Sequence, residues 1–460
     1  MQKKIIIIGA GLAGLSAACL AIKRGYKVVL FEAADGPGGD SRAITMEGFT
    51  FDQNPKLYPA PYLMDTLLPG KSNSVSSQFK QAIPAVQVTF ADRKKMLFLS
   101  ENELTHQMEK EVSLPLLQGE ASYQKLETIL MEAMNQYTGK KLPFWQHFIK
   151  RSGVNLNLPL LPAIGQISSD PYMQQTLMLI AASMGTTIES LRLSDLFLPA
   201  IISRSGLFHP RGGMQSIIDL LSSYLQQSGA KIFTRLPVIE ILPVQHNTIG
   251  IRLADEQQEW GDYILNTTQI LAPENSHYTG TQPMLLYHFG VDASEIPSLG
   301  YFNIVILNHV MKSWQNKQTI DYRWKPAYFY INQPTRYDAS LAPEGMSLLN
   351  IKIPLSVDTL SYQDKEFVRE TVLSILEDRF YAGFRKKIRM ETSFWLSKDE
   401  KASQKIPTLS SSSQPGFAIP FANDHQRLTH LNQYYQNRQP GIPQILFAVQ
   451  RWLENLEKLS

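Results

Sequence analysis

The chain opens on an apolar run of β-branched residues, Lys4–Ile8, with no polar alternation. Such a run predicts a strand buried on both faces of a parallel sheet. From Leu12 to about Arg24 the apolar positions recur among small residues, Ala13, Ala17, Ala18 and Ala21, and Gly25 stands where a helix ends. Val28–Phe31 returns to an apolar run, so residues 3–32 read as a strand–helix–strand unit. Further on, Met214–Ser228 predicts an amphipathic helix closed by Gly229, and residues 230–242 predict a strand region. Residues 249–268 read as a hairpin turning at Asp255 that leads back to the first unit.

The first turn carries chemistry. Gly9, Gly11 and Gly14 form G-x-G-x-x-G between the strand and the helix. The first glycine permits the tight turn, the second lets backbone approach a pyrophosphate, and the third lets the helix lie close to the strand. Leu12 and Ala13 head the helix, whose free N–H groups and positive dipole end favour an anion. Glu32 ends the second strand, where a carboxylate accepts a hydrogen bond from a ribose 2′-hydroxyl and repels a 2′-phosphate; Ala33 follows it. This points to NAD or FAD rather than NADP. The same opening, "MQKK" before an apolar stretch, also has the form of a secretory signal. A discarded signal has no reason to keep strand, turn, helix and acid in register, so the folded reading is preferred.

Composition narrows the class. The chain has 460 residues, 43% apolar and 18% charged, and a net charge of +3. This suits two or three globular domains and gives no basis for nucleic-acid binding. Cys19 stands alone, which excludes an intramolecular disulfide framework and fits a reducing, cytoplasmic setting. No apolar run is long enough for a transmembrane helix, and the scattered histidines show no metal-ligand spacing.

A second glycine cluster follows the acid: Gly36-Pro-Gly-Gly-Asp-Ser-Arg42, then Gly48, Phe49, Phe51 and Asp52. This segment resembles the one after the acid in flavin amine oxidases and, more closely, in phytoene desaturase-like carotenoid enzymes. Gly38 and Gly39 let backbone pass over a diphosphate, and a nearby guanidinium can pair with it. Asp40 stands where the family usually has arginine, Arg42 lies two residues later, and Asn54-Pro55 replaces Gly-Pro. Three further stretches carry the resemblance: Pro210-x-Gly212-Gly213-Met214 with the strand after it, residues 328–355 with "SLAPEG", and Gly441-Ile442-Pro443 with the closing helix.

The resemblance implies an α/β flavoprotein that binds FAD. A Rossmann-like FAD-binding domain would come from residues 1–95, 205–275 and 415–460. An interleaved α+β substrate domain, a mixed sheet plus helices, would come from 96–204 and 276–414. Val238 would meet the adenine, and Gly441, Ile442 and Pro443 would place a helix N-terminus near the flavin. The implied activity is hydride transfer from an apolar, isoprenoid-like substrate, as desaturase, saturase or isomerase. Departures at residues 428–443, a polar strand and a shorter loop, leave open a relative that kept the fold and lost the flavin. An amine oxidase-like enzyme with a polar substrate is a further alternative. No catalytic acid or base is assigned: His209 reads as structural, and Lys150 and Arg151 only as residues that orient a substrate. Residues 140–165, with Lys140, Lys141, Phe144, Trp145 and Phe148, form a basic aromatic stretch suited to a membrane interface at the inner face. The oligomeric state stays open.

Overall fold

In the computed structural model, residues 2–69, 74–98, 158–268, 282–293, 299–307, 326–355, 361–396, 427–431 and 442–459 are described. The opening run is β1 (Lys4–Ile8), the centre of a five-stranded parallel sheet. Its order is β19 (Leu428–His430), β13 (Tyr263–Asn266), β1, β2 (Lys27–Phe31), β9 (Lys231–Phe233). The three central strands, β13, β1 and β2, are largely apolar because both of their faces are covered. Ile5, Ile7, Val28 and Leu30 pack under helices, while Ile6, Ile8, Val29 and Phe31 pack with β10 (Val238–Gln245) and β11 (Thr248–Leu253). Those two and β12 (Gln258–Gly261) form an antiparallel sheet that makes the third layer. The helical layer contains α1 (Leu12–Lys23), closed at Gly25, where φ is +83°. Against it lie α5 (Gly213–Gln227) and α7 (Ile442–Leu459).

The polar strand near the carboxyl end does form: β19 pairs in parallel with β13 through Ile264–Leu428 and Asn266–His430. The segment read as one hairpin over 249–268 divides differently. β11 and β12 make the hairpin, and Tyr263–Asn266 continues into the parallel sheet beside β1. Residues 230–242 likewise split into β9 and β10, which lie in different sheets.

The second part is a seven-stranded sheet ordered β18 (Ile388–Leu396), β14 (Met284–Asp292), β17 (Met346–Pro354), β16 (Tyr328–Asn332), β15 (Phe302–Ile306), β6 (Val86–Thr89), β7 (Lys95–Phe98). Only the β15–β6 pairing is parallel. Two strands that begin within residues 1–95 pair into this sheet. Val86 and Val88 are fully buried, and β6 and β7 belong to this sheet. Helices α2 (Leu160–Ile167), α3 (Pro171–Ala182) and α4 (Phe197–Ser205) pack on the core shared with the parallel sheet. One face of the seven-stranded sheet is covered by α6 (Tyr362–Arg379) through Val368, Val372, Leu373 and Leu376. The opposite face receives the hairpin of β3 (Ala43–Met46) and β4 (Phe49–Asp52), with Phe49 and Phe51 packed against Leu348 and Met390.

Candidate functional site

Two glycine turns meet at the carboxyl ends of β1 and β2. In the first, the Gly9 N–H donates to the Phe31 carbonyl at 2.8 Å, and the Thr267 hydroxyl donates to the carbonyls of Ile8 at 2.8 Å and Gly9 at 3.2 Å. A Cβ at Gly14 would lie 1.9 Å from the Gly9 oxygen, so helix and strand touch only because position 14 lacks a side chain. The second turn folds over the first. The Gly38 N–H donates to the Ala10 carbonyl at 2.8 Å, and Gly38 forms a parallel bridge with Gly11. A Cβ at Gly39 would stand 3.2 Å from the Gly11 Cα. With φ of +128° and +57°, Gly38 and Gly39 hold conformations that other residues rarely adopt. Gly11 supplies no capping side chain, so the first-turn N–H groups of α1, at Leu12, Ala13 and Gly14, keep their donor capacity. Bare backbone from two turns and a helix N-terminus form a cradle that fits a dinucleotide diphosphate.

Glu32 closes one end of the cradle. Its carboxylate accepts from the Ala10 N–H at 2.7 Å and the Ala34 N–H at 2.9 Å, so the acid is anchored beside the first turn. Ala33 next to it is exposed. The β9–β10 connection arrives here as well: the Arg235 N–H donates to the Ala34 carbonyl and the Leu236 N–H to the Glu32 carbonyl. Val238 is buried two residues further on. Arg42 is committed locally. Its guanidinium contacts Asp35 at 2.6 Å and holds that carboxyl below the usual carboxylate range. Asp40, in the family's arginine position, pairs with Lys56 at 2.9 Å. Ile442 and Pro443 open α7, while Gly441 lies outside the described residues. So do Lys140 to Arg151; within 140–165, Leu160 and Ile164 face the protein core rather than outward.

Beyond the cradle, the hairpin delivers a polar cluster that composition and motif did not reveal. The buried carboxylate of Asp52 accepts from the Met214 N–H at 3.1 Å, capping α5, and from the Tyr58 hydroxyl at 3.2 Å. Burial pushes its pKa up to about 6, against the pull of those donors and of Lys56 and Lys352. His209 Nδ1 lies 3.2 Å from the Tyr301 hydroxyl, and burial brings its pKa down to about 4. Lys352 is buried too, and burial, aided by Lys56, lowers its pKa to about 7; its ammonium donates to Asn54 Oδ1 at 2.9 Å and to the Pro55 carbonyl. It thus pins the turn that replaces the family's Gly-Pro. One signal was available in the sequence: Leu348, Asn350 and Lys352 alternate with apolar Leu349, Ile351 and Ile353, so two polar residues occupy one face of an otherwise apolar strand. Among the described residues no group of acids, histidines or cysteines could hold a metal, and no helix is long and apolar enough to cross a membrane.

Comparison with known proteins agrees with this geometry. Residues 7–67 match the model of an NAD(P)-binding Rossmann-like domain. A zeta-carotene-forming phytoene desaturase of Myxococcus xanthus is 25% identical over 388 residues, covering 77% of this chain and 72% of that protein. A 4,4'-diapolycopene oxygenase of a Methylomonas species is 24% identical over 434 residues, covering 87% and 86%. The structure of putrescine oxidase bound to putrescine has the same fold, with a TM-score of 0.60, 13% identity and coverage of 100% and 99%. The sequence likeness to these carotenoid enzymes thus runs through both sheets and not the nucleotide turn alone, on a Rossmann-like dinucleotide-binding fold shared with a flavin oxidase structure.

Proposed function

We propose that the chain acts on a long apolar molecule of the carotenoid or isoprenoid class by hydride transfer between substrate and flavin, to the flavin as a desaturase, from it as a saturase, or in both directions as an isomerase. The observation that carries this reading is the extent of its likeness to carotenoid enzymes, which reaches 87% of the chain and includes the second sheet. FAD, when bound, supplies the hydride acceptor or donor. The chain's own part is to hold and orient it. The backbone of Gly9, Gly11, Leu12, Ala13 and Gly14 would take the diphosphate from one side, and Gly38 and Gly39 from the other. Glu32 would take the ribose, with Ala33 beside it and Val238 on the adenine side. Arg42, if released from Asp35, would add charge to the diphosphate. The segment Gly441–Pro443 would bring the α7 N-terminus to the flavin.

The same reading assigns residues up to about 82, 207–268 and 427–459 to the FAD-binding part, and β6, β7 and most of 282–396 to the substrate part. It also takes residues 140–165 as the place where a cytoplasmic enzyme draws its substrate from a bilayer. The test uses purified protein reconstituted with FAD, kept anaerobic, and mixed with a long polyene hydrocarbon in vesicles. Loss of the oxidised flavin band at about 450 nm supports the proposal. A flavin bleached by diamines and unaffected by polyenes would replace it with the amine oxidase-like reading.

A further inference from the structure

The seven-stranded sheet carries a polar ladder on the face that meets the β3–β4 hairpin. His288, Asn350 and Asn332 are register partners across β14, β17 and β16. His288 Nδ1 lies 2.6 Å from Asn350 Oδ1, Asn350 Nδ2 donates to Asn332 Oδ1 at 3.2 Å, and Asn332 Nδ2 donates to the Tyr301 carbonyl at 2.8 Å. A cavity lies between this ladder, the hairpin and the α5 N-terminus. Asp52, Tyr58, His209, Tyr301, Asn332 and Asn350 line it. A pocket that receives only hydrocarbon gains nothing from such a lining, because each buried polar group needs a partner.

The lining is nearly self-satisfied, and the exception is informative. His209 is 3% exposed, its Nδ1 meets Tyr301, and its Nε2 has no partner among the described residues. Buried, it stays neutral at pH 7. If Nδ1 accepts from Tyr301, Nε2–H is a donor that calls for a carbonyl or hydroxyl oxygen. In the other tautomer Nε2 accepts, and a hydroxyl serves. Charged ligands are disfavoured on both sides, since Asp52 would repel a carboxylate while Lys56 and Lys352 flank it against an ammonium.

We infer that this cavity receives an uncharged oxygen function, hydroxyl or carbonyl, borne by the apolar substrate, and that His209 is the residue that reads it. The inference rests on the apolar-substrate reading above and adds a specificity to it. His209 acts here in recognition, and the hydride transfer does not depend on it.

The experiment measures binding to the FAD-loaded full chain by flavin fluorescence quenching. Three matched probes are presented in phosphatidylcholine vesicles: a long polyene hydrocarbon, its terminal alcohol and its terminal aldehyde. Wild type is expected to bind at least one oxygenated probe about tenfold more tightly than the hydrocarbon, the scale of one net hydrogen bond. His209→Phe is expected to bring that probe to the hydrocarbon's affinity and to leave the hydrocarbon's affinity unchanged. His209→Gln, which keeps a donor and an acceptor, should restore part of the preference. Equal wild-type affinity for all three probes would mean that the cavity holds only water, overturning the inference while the apolar-substrate reading stands. A preference that survives in a folded His209→Phe protein would also overturn it. If none of the probes binds, the inference falls together with the apolar-substrate reading.

Discussion

Two glycines of the first turn should respond in opposite ways to the same added methyl group. At Gly11 the backbone is ordinary, with φ of −70°, and a Cβ would find only the Gly39 Cα, at 3.8 Å. The protein alone has room for Gly11→Ala, and its stability should stay level or rise by up to about 1 kcal/mol from reduced freedom of the unfolded chain. The methyl would, however, occupy the space through which backbone approaches the diphosphate. An overpacking cost of about 1–3 kcal/mol on the bound state weakens FAD binding by about 5- to 150-fold. At Gly14 a Cβ would sit 1.9 Å from a backbone oxygen, far inside the 3.0 Å limit for real contacts. Gly14→Ala must push α1 off β1, at a cost of about 3 kcal/mol or more, whether or not FAD is present. The assay pairs thermal unfolding of flavin-stripped protein, followed by far-UV circular dichroism, with FAD titration followed by flavin fluorescence. Wild-type FAD affinity in Gly11→Ala, or a wild-type melting curve for stripped Gly14→Ala, would refute the assignment of these two roles.

Other outcomes follow from the same structure. Asp35→Asn should free the Arg42 guanidinium from its 2.6 Å contact and strengthen FAD binding at low salt, with the gain lost at high salt; unchanged affinity would show that Arg42 only shapes its turn. Gly290→Ala places a Cβ 2.5 Å from the Phe49 ring and should loosen the hairpin from the second sheet, costing about 1–3 kcal/mol by urea unfolding. Acid should destabilise the protein through its buried histidines. His209 and His288 fall from 6.5 to about 4 and about 3, so the stability of their neutral forms is present above pH 6.5 and is lost as pH drops toward those values. Between pH 6.5 and 5 each should cost about 2 kcal/mol, opposed in part by Asp52, which gains stability as pH falls through about 6. A double His209→Asn, His288→Asn variant should show a flatter dependence of urea midpoint on pH, and an unchanged slope would count against buried neutral histidines.

Local pattern placed the first strand and the two glycine-bounded helices to within a residue. The strand expected at Lys4–Ile8 is β1, and the helix expected from Leu12 to about Arg24 ends at Lys23. The helix expected at Met214–Ser228 is displaced by one position. These elements are punctuated by glycines that short stretches of chain require wherever they fold. The assignment of strands to sheets was not local. Tyr263–Asn266 looked like the arm of a hairpin, and residues 86–95 looked like part of the first domain. In both cases the partner strand is remote in sequence: β1 for the first and β15 for the second.

The sequence by itself determined the dinucleotide turn, its acid and the second glycine cluster, because each depends on backbone freedom and charge at fixed short spacing. That the two clusters meet follows from their shared affinity for a diphosphate, but only the tertiary structure decided the contact, from the Gly38 N–H to the Ala10 carbonyl. It alone decided, too, that His288 and Asn350, 62 residues apart, stand in one ladder with a cavity bounded by His209 and Asp52. A polar residue inside an apolar strand announces a burial cost, but its partner is set by strand register, and register is a property of the assembled sheet.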